Sequence, residues 1–397
     1  MYHPLPTRPL TVILDTTERC NLKCRMCYFA ATDRLRFPPH DLELSPTGMM
    51  PIAVFDRIAT ELFPRAWRVA LACAAEPLLH PQFDEIVRIA GKHRVPDLWF
   101  PTNLLALTEA KAEAICQAKV RTVGVSIDGT HAEIYESIRV GGRFSRLEER
   151  LELFNRVRAA HGGGTGLRII FTWMKTNRGD LRSLPAFAER WGADELDVRF
   201  VAPTTGVDVG PELLDGEDSE ALRRDLEATA RDAVRRGLVL ASYPDFDEPA
   251  AARGYFAERR RTKFRRKAGL DRQEYDQYRE LEAAKGCVWP GDFFVIRPNG
   301  AVSPCIFWDG DPIAYFPRDD FDALAEAPLL EDILRGLHGG RPIGTCTHCS
   351  QRRDALYYRL RASEAKAPES PAPGGPGPEN PAPEPTAGEL VGLGKPS

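Results

Sequence analysis

The stretch Leu14-Asp15-Thr16-Thr17-Glu18-Arg19-Cys20-Asn21-Leu22-Lys23-Cys24-Arg25-Met26-Cys27 decides how the chain is read. The run Thr11–Leu14 before it is apolar and β-branched and reads as a strand; the polar segment after it reads as a loop. One loop therefore carries Cys20, Cys24 and Cys27. Thiolates are the ligands that iron–sulfur clusters select, and three of them ligate three irons of one cubane. The fourth iron then has no local protein ligand, and an open position lets a cluster bind and activate another molecule. Structural zinc is the alternative. It wants four ligands, and the nearest histidines, His3 and His40, flank proline and lack knuckle spacing.

Outward from this loop, strand-like runs alternate with amphipathic stretches. The expected strands are Thr11–Leu14, Arg68–Ala72, Leu98–Phe100, Thr122–Ser126, Arg168–Thr172 and Asp197–Val201. The expected helices are Ile52–Leu62, Phe83–Lys92, Glu109–Ala118, Arg146–Ala160 and Leu181–Arg190. Alternating βα units predict a parallel sheet, because parallel strands need crossover helices. Six units are too few to close an eight-stranded barrel. An open partial barrel fits, with a doubly wound sheet as the alternative on periodicity alone. A polar, acidic break follows, then a helix at Glu220–Arg236 and a basic amphipathic stretch at Tyr255–Lys285. The Pro/Ala/Gly/Glu-rich segment 363–397 reads as a disordered tail.

The 397 residues carry a formal net charge of −4, which gives no electrostatic reason to expect nucleic acid or membrane as partner. The chain shows neither a long apolar run nor a secretory signal, so the expected compartment is the cytoplasm, where thiols stay reduced. Nine cysteines there call for metal rather than disulfides. Besides the first three, Cys287, Cys305, Cys346 and Cys349 supply four thiolates, enough to saturate a cubane or to hold zinc. Val295–Pro304 reads as a β-hairpin around Asn299-Gly300, which would draw Cys287 and Cys305 together.

The Cys-x3-Cys-x2-Cys spacing just after a first strand resembles the radical S-adenosylmethionine (SAM) superfamily. Met26 stands where that family often has an aromatic residue, and can pack on the adenine. Ala74-Ala75-Glu76-Pro77 resembles the family's Gly-Gly-Glu-Pro motif, which contacts the amino group of SAM; both glycines have become alanine. Thr102-Asn103-Leu104 resembles Thr-Asn-Gly, and Val125-Ser126-Ile127-Asp128-Gly129, with Arg139 beyond it, resembles the fourth-strand motif. The resemblance implies a 4Fe–4S cluster on Cys20, Cys24 and Cys27, with SAM bound by Met26, Glu76, Asn103, Ser126 and Arg139. Arg139 has a second reading as a helix cap. The later cysteines resemble the auxiliary-cluster region of SPASM and Twitch domains. They imply a second 4Fe–4S cluster on Cys287, Cys305, Cys346 and Cys349, in the shorter Twitch form.

The expected fold is thus α/β: a partial (β/α)6 TIM-like barrel with a small C-terminal α+β iron–sulfur unit. The expected domains are a leader at 1–10, a radical SAM core at 11–205, a helical insert at 206–285, the auxiliary unit at 286–360 and the tail. The resemblance implies an oxidoreductase that makes a 5′-deoxyadenosyl radical and takes hydrogen from a small-molecule substrate, with flavodoxin or ferredoxin as reductant. Only 19 residues precede Cys20, which leaves no room for a leader-gripping domain and ranks peptide maturation with a separate recognition protein second. A zinc-stabilised binding protein is the reading from another class. Cys73, before the Ala-Ala-Glu motif, is a candidate hydrogen donor, weighed against a small buried hydrophobe. Cys116 reads as core, the basic run 259–267 as a solvated helix face against a phosphate-holding one, and Gly162–Gly166 as a flexible turn.

Overall fold

A computed structural model describes residues 10–27, 48–201, 207–214, 217–242, 290–291, 293–338, 341–347 and 349. The basic stretch, the tail and Cys287 lie outside these residues. Seven strands follow one another: β1 (Leu10–Leu14), β2 (Ala66–Ala70), β3 (Asp97–Thr102), β4 (Thr122–Ser126), β5 (Gly166–Trp173), β6 (Glu195–Phe200) and β7 (Val239–Ser242). Helices α1 (Ile52–Leu62), α2 (Phe83–Lys92), α3 (Glu109–Gln117), α4 (Ala132–Ile138), α5 (Phe144–Ala160), α6 (Leu184–Arg190) and α7 (Ser219–Arg235) separate them. Then come β8 (Phe293–Ile296), β9 (Ala301–Ser303), β10 (Ala314–Tyr315), α8 (Phe321–Ala325) and α9 (Pro328–His338).

The ten strands among the described residues form one sheet in the order β10-β9-β8-β1-β2-β3-β4-β5-β6-β7. From β1 to β7 the spatial order is the chain order and every pair is parallel. A doubly wound sheet reverses direction at a switch point; this one does not, and the partial barrel is the fold. It has more strands than expected. The segment read as an insert supplies α7, which follows β6, and β7, a seventh parallel strand, and β8 pairs parallel with the free edge of β1. The hairpin at Asn299-Gly300 forms, with β9 antiparallel to β8. The C-terminal segment is therefore built onto the core sheet rather than beside it.

Two faces explain the packing. Val12, Val69, Leu98, Val123, Ile169 and Val198 point under the helices and are buried, which follows from the two-residue alternation of a strand. The other face is polar. Arg68 and Asp97, Arg168 and Glu195 are neighbours in register and pair at 2.7 and 2.5 Å. Arg168 on β5 also lies 5.1 Å from the ring centroid of Trp99 on β3, reaching across β4. Gly124 on β4 leaves room there for Ile170 and the Trp99 ring: a Cβ would stand 2.8 Å from Ile170 Cδ1 and 3.4 Å from Trp99 Cζ3.

Gly124→Val is expected to cost about 1–3 kcal/mol by overpacking this inner face. Gly124→Ala should cost less, because Ile170 Cδ1 is the far end of a side chain that can turn. Denaturant midpoints at constant m-value check both.

Candidate active site

The C-terminal ends of the strands converge on one region. The loop after β1 carries Cys20, Cys24 and Cys27, all half-buried. Backbone bonds fix its course: Lys23 N donates to Val140 O, Arg25 N to Ile138 O, and Cys27 N to Cys24 O. Burial, then Glu76 and the neighbouring thiols, push Cys20 up to about 11, against the N–H of Leu22, which lies 3.5 Å from its sulfur. Burial also raises Cys24, opposed by Arg139, whose Nη1 is 3.7 Å from Cys24 Sγ. Three mutually interacting thiols beside a guanidinium and an amide donor are a donor set that fits a cubane with one iron left open. Among the described residues no three His, Cys, Asp or Glu side chains form a group that could hold a single metal ion. The fit thus rests on donor chemistry and on the course of the loop.

Glu76 follows β2 and is 2 % exposed. Its Oε1 accepts from Leu78 N at 3.1 Å and Thr102 Oγ1 at 2.6 Å, and its Oε2 accepts from Asn103 N at 2.7 Å. Burial raises it above the usual carboxylate range, partly offset by these bonds. A carboxylate has about four lone-pair sites, so one remains for an outside donor such as an ammonium group. Asn103, on the β3 end, donates from Nδ2 to Asn21 Oδ1 at 2.8 Å and so ties the cysteine loop to β3. Ser126 ends β4 and is half-buried. Met26 packs against the buried group of Ile138, Met174, Val201 and Val209.

Arg139 sits at the C-cap of α4, as its second reading has it. Its guanidinium pairs with Asp128 at 2.6 Å, the aspartate fully buried and the arginine 11 % exposed. Asp128 Oδ1 also accepts from Thr172 N at 2.7 Å. The carboxylate that Arg139 pairs with is therefore one of the protein's own, and Arg139 holds the cysteine loop against β4. Gly129 has no room for a side chain: a Cβ would stand 2.5 Å from Tyr135 N.

Neither Ala74 nor Ala75 has a left-handed backbone, so the exchange of the expected glycines brings no strain. The strained position is Leu104, at φ 67° and fully buried, where the resembled motif has glycine.

Two residues that the sequence reading gave no role organise the site. Asp15, 2 % exposed, accepts from Cys73 N at 2.5 Å and Ala74 N at 3.1 Å, and pairs with Arg297 at 2.6 Å. Asp197 on β6 pairs with Arg199 at 2.5 Å. Cys73 stands between these pairs, pushed up to about 12 by burial and Asp15 against the pull of Arg297 and Arg199. The signal available in the sequence was charge inside otherwise apolar strands at a period of two, as in Glu195-Leu196-Asp197-Val198-Arg199.

In the C-terminal segment, Cys305 and Cys346 are buried and Cys349 is half-buried. The turn Gly344–Thr347 meets the loop after β9 through Asp309 N, which donates to Thr345 Oγ1 at 3.1 Å.

The radical SAM superfamily model matches residues 14–171, which hold the cysteine loop, Glu76, Asn103, Ser126 and Arg139. Over this segment the chain is similar to that superfamily. GTP 3′,8-cyclase of Listeria welshimeri is 31 % identical over 140 residues, 35 % of this chain and 39 % of that protein. Mycofactocin maturase MftC of Mycobacterium ulcerans is 26 % identical over 205 residues, 52 % of this chain and 51 % of that protein. The chain thus spans two-fifths to half the length of these relatives. Among solved structures, Streptococcus suis SuiB bound to S-adenosylmethionine superposes with a TM-score of 0.61 at 18 % identity, covering 91 % of this chain and 76 % of that one. For anSMEcpe with bound AdoMet the TM-score is 0.57 at 17 %, covering 90 % and 96 %. These two share the fold. No helix among the described residues is long and apolar enough to cross a membrane.

Two outcomes follow for stability. Leu104→Gly removes left-handed strain worth about 1–2 kcal/mol but deletes a buried side chain worth about 2–5 kcal/mol; the net change is a loss, read from the melting midpoint. His80, at the end of the turn after Glu76, accepts from Gln82 N at Nδ1 and lies 3.1 Å from Met50 O at Nε2. Burial lowers its pKa, with the Met50 carbonyl opposing. The unfolded chain then binds more protons below the ordinary histidine value, so this contribution is present above about pH 6.5 and shrinks as pH falls. Melting curves of wild type and His80→Gln should diverge at pH 7 and converge toward pH 5.

Proposed function

We propose that the chain is a radical SAM oxidoreductase acting on a small molecule such as a sugar, aminocyclitol or amino-acid derivative. What supports this is the meeting of the cysteine loop with Glu76, Asn103, Ser126 and Arg139 at one end of the sheet. When bound on Cys20, Cys24 and Cys27, a 4Fe–4S cluster would supply the electron that cleaves SAM to a 5′-deoxyadenosyl radical. Glu76 offers its remaining lone pair to the amino group of SAM, Asn103 and Ser126 offer donors and acceptors, and Met26 an apolar surface for the adenine. Arg139 has its charge met by Asp128 and acts as a positioning residue for the cysteine loop.

Cys287, Cys305, Cys346 and Cys349 would together supply four thiolates, which favours a saturated auxiliary cluster and net two-electron oxidation. The match to a mycofactocin maturase favours a second reading, peptide maturation with a separate recognition protein. Cys73, half-buried beside two ion pairs with its thiol protonated, stays a candidate hydrogen donor.

Anaerobic reconstitution should give brown protein with about eight irons per chain, and dithionite with SAM should release 5′-deoxyadenosine. Cys24→Ser should abolish release, whereas Cys305→Ser/Cys346→Ser should keep it while iron falls to about four. A reduced, iron-loaded protein that releases no 5′-deoxyadenosine overturns the reading. Deuterium carried into 5′-deoxyadenosine from labelled small molecules or peptides decides between the substrate classes.

A further inference from the structure

The polar face of the sheet carries three aspartate–arginine pairs at its C-terminal end: Asp15 with Arg297, Asp128 with Arg139, and Asp197 with Arg199. The first two arginines are closed in, at 12 % and 11 % side-chain exposure; Arg199 is 49 % exposed. It is nonetheless no outer-surface residue. Leu196 and Val198 of the same strand are buried in the core, so alternation turns Asp197 and Arg199 to the inner face. Its guanidinium lies within electrostatic reach of Cys73 and Asp128, on the side of the cysteine loop.

The pairing geometry leaves one edge of that guanidinium usable. Nε donates to Asp197 Oδ1 at 2.8 Å and Nη2 to Oδ2 at 2.5 Å. A guanidinium carries five N–H groups in a rigid fork. The two bonds to Asp197 occupy one side; Nη1 and the second N–H of Nη2 form the other, and that fork matches a carboxylate or phosphate. Asp197 is 2 % exposed and rooted in the strand, so the fork is presented already oriented, and binding an anion does not have to order the side chain.

We propose that Arg199, held by Asp197, is the anchor for a carboxylate or phosphate group of the substrate. This rests on the reading of the strand ends as an active site and adds the chemical class that the site selects: a molecule with an anionic group placed away from the carbon that loses hydrogen. Arg199 is a specificity residue, with no part in holding the cysteine loop.

The test uses the full chain with inorganic pyrophosphate and succinate as probes, titrated separately by calorimetry. Wild type should bind at least one of them, and the better probe names the source of the anion. Arg199→Gln should weaken that binding by about tenfold or more, the loss of a charge-assisted pair of hydrogen bonds. Arg199→Lys, which keeps the charge and loses the fork, should also bind more weakly than wild type, and it carries the test if the glutamine variant does not fold by circular dichroism. Equal affinity in the folded variants, or no binding of either probe by wild type, overturns the proposal. Neither measurement needs iron or SAM. A wild-type chain that binds pyrophosphate through Arg199 and releases no 5′-deoxyadenosine sinks the proposed chemistry and leaves the anion site standing.

Discussion

The carboxylate of Asp15 is the contact on which the arrangement of this site turns. It directly follows the last residue of β1, where the cysteine loop begins, and is almost without exposure. A carboxylate that buried is stable only with its charge met and its lone pairs used. Here one oxygen receives the amides of Cys73 and Ala74 and the other receives Arg297, while the Asp15 amide donates to Ile296 O. One side chain therefore joins the ends of β1, β2 and β8. The loop that presents Cys20 and the loop that presents Glu76 take their starting points from the same atoms.

Asp128 and Asp197 repeat this logic further round the sheet. Each is buried, each is paired with an arginine, and each arginine faces the polar interior. Ion pairs of this kind add little net stability, since desolvation cancels most of the attraction. What they fix is geometry. Arg139, balanced by Asp128, rests against Cys24 without bringing net charge to the loop. The three arginines differ in exposure: Arg297 and Arg139 are closed in, and Arg199 keeps about half of its side-chain surface open.

Much of this was legible in the sequence, for identifiable reasons. Helices α1 and α2 match their expected bounds because their apolar faces are buried under a sheet and their periodicity is strong. The hairpin at Asn299-Gly300 was legible from turn chemistry. Strand β7 was not, because Val239–Ser242 is four residues long and follows a charged helix with no flanking break beyond Gly237. The pairing of β8 with β1 had no local signal at all: Asp15 and Arg297 are 282 residues apart, and only the addition of β8 to the edge of β1 brings them together. The cysteine loop is legible as chemistry, whereas the aspartates that orient it carry no local signal, since a buried acid's partners are set by tertiary contacts.

The two departures from the resembled motifs show why spacing and strain must be weighed separately. Ala74 and Ala75 replace glycines at positions with ordinary backbone angles, so the methyl groups cost nothing in conformation, and they add walls where the family has open backbone. Leu104 replaces a glycine where the backbone is left-handed. A β-carbon there is unfavourable by about 1–2 kcal/mol, yet the side chain is fully buried in the main core and recovers more than that by burial. The preceding residue, Asn103, is also held from both sides, by Glu76 at its amide and by Asn21 at its side chain. Packing of Leu104 and the hydrogen bonds of Asn103 thus do together what glycine's freedom does in the resembled motif: they hold the end of β3 turned so that Asn103 meets the cysteine loop.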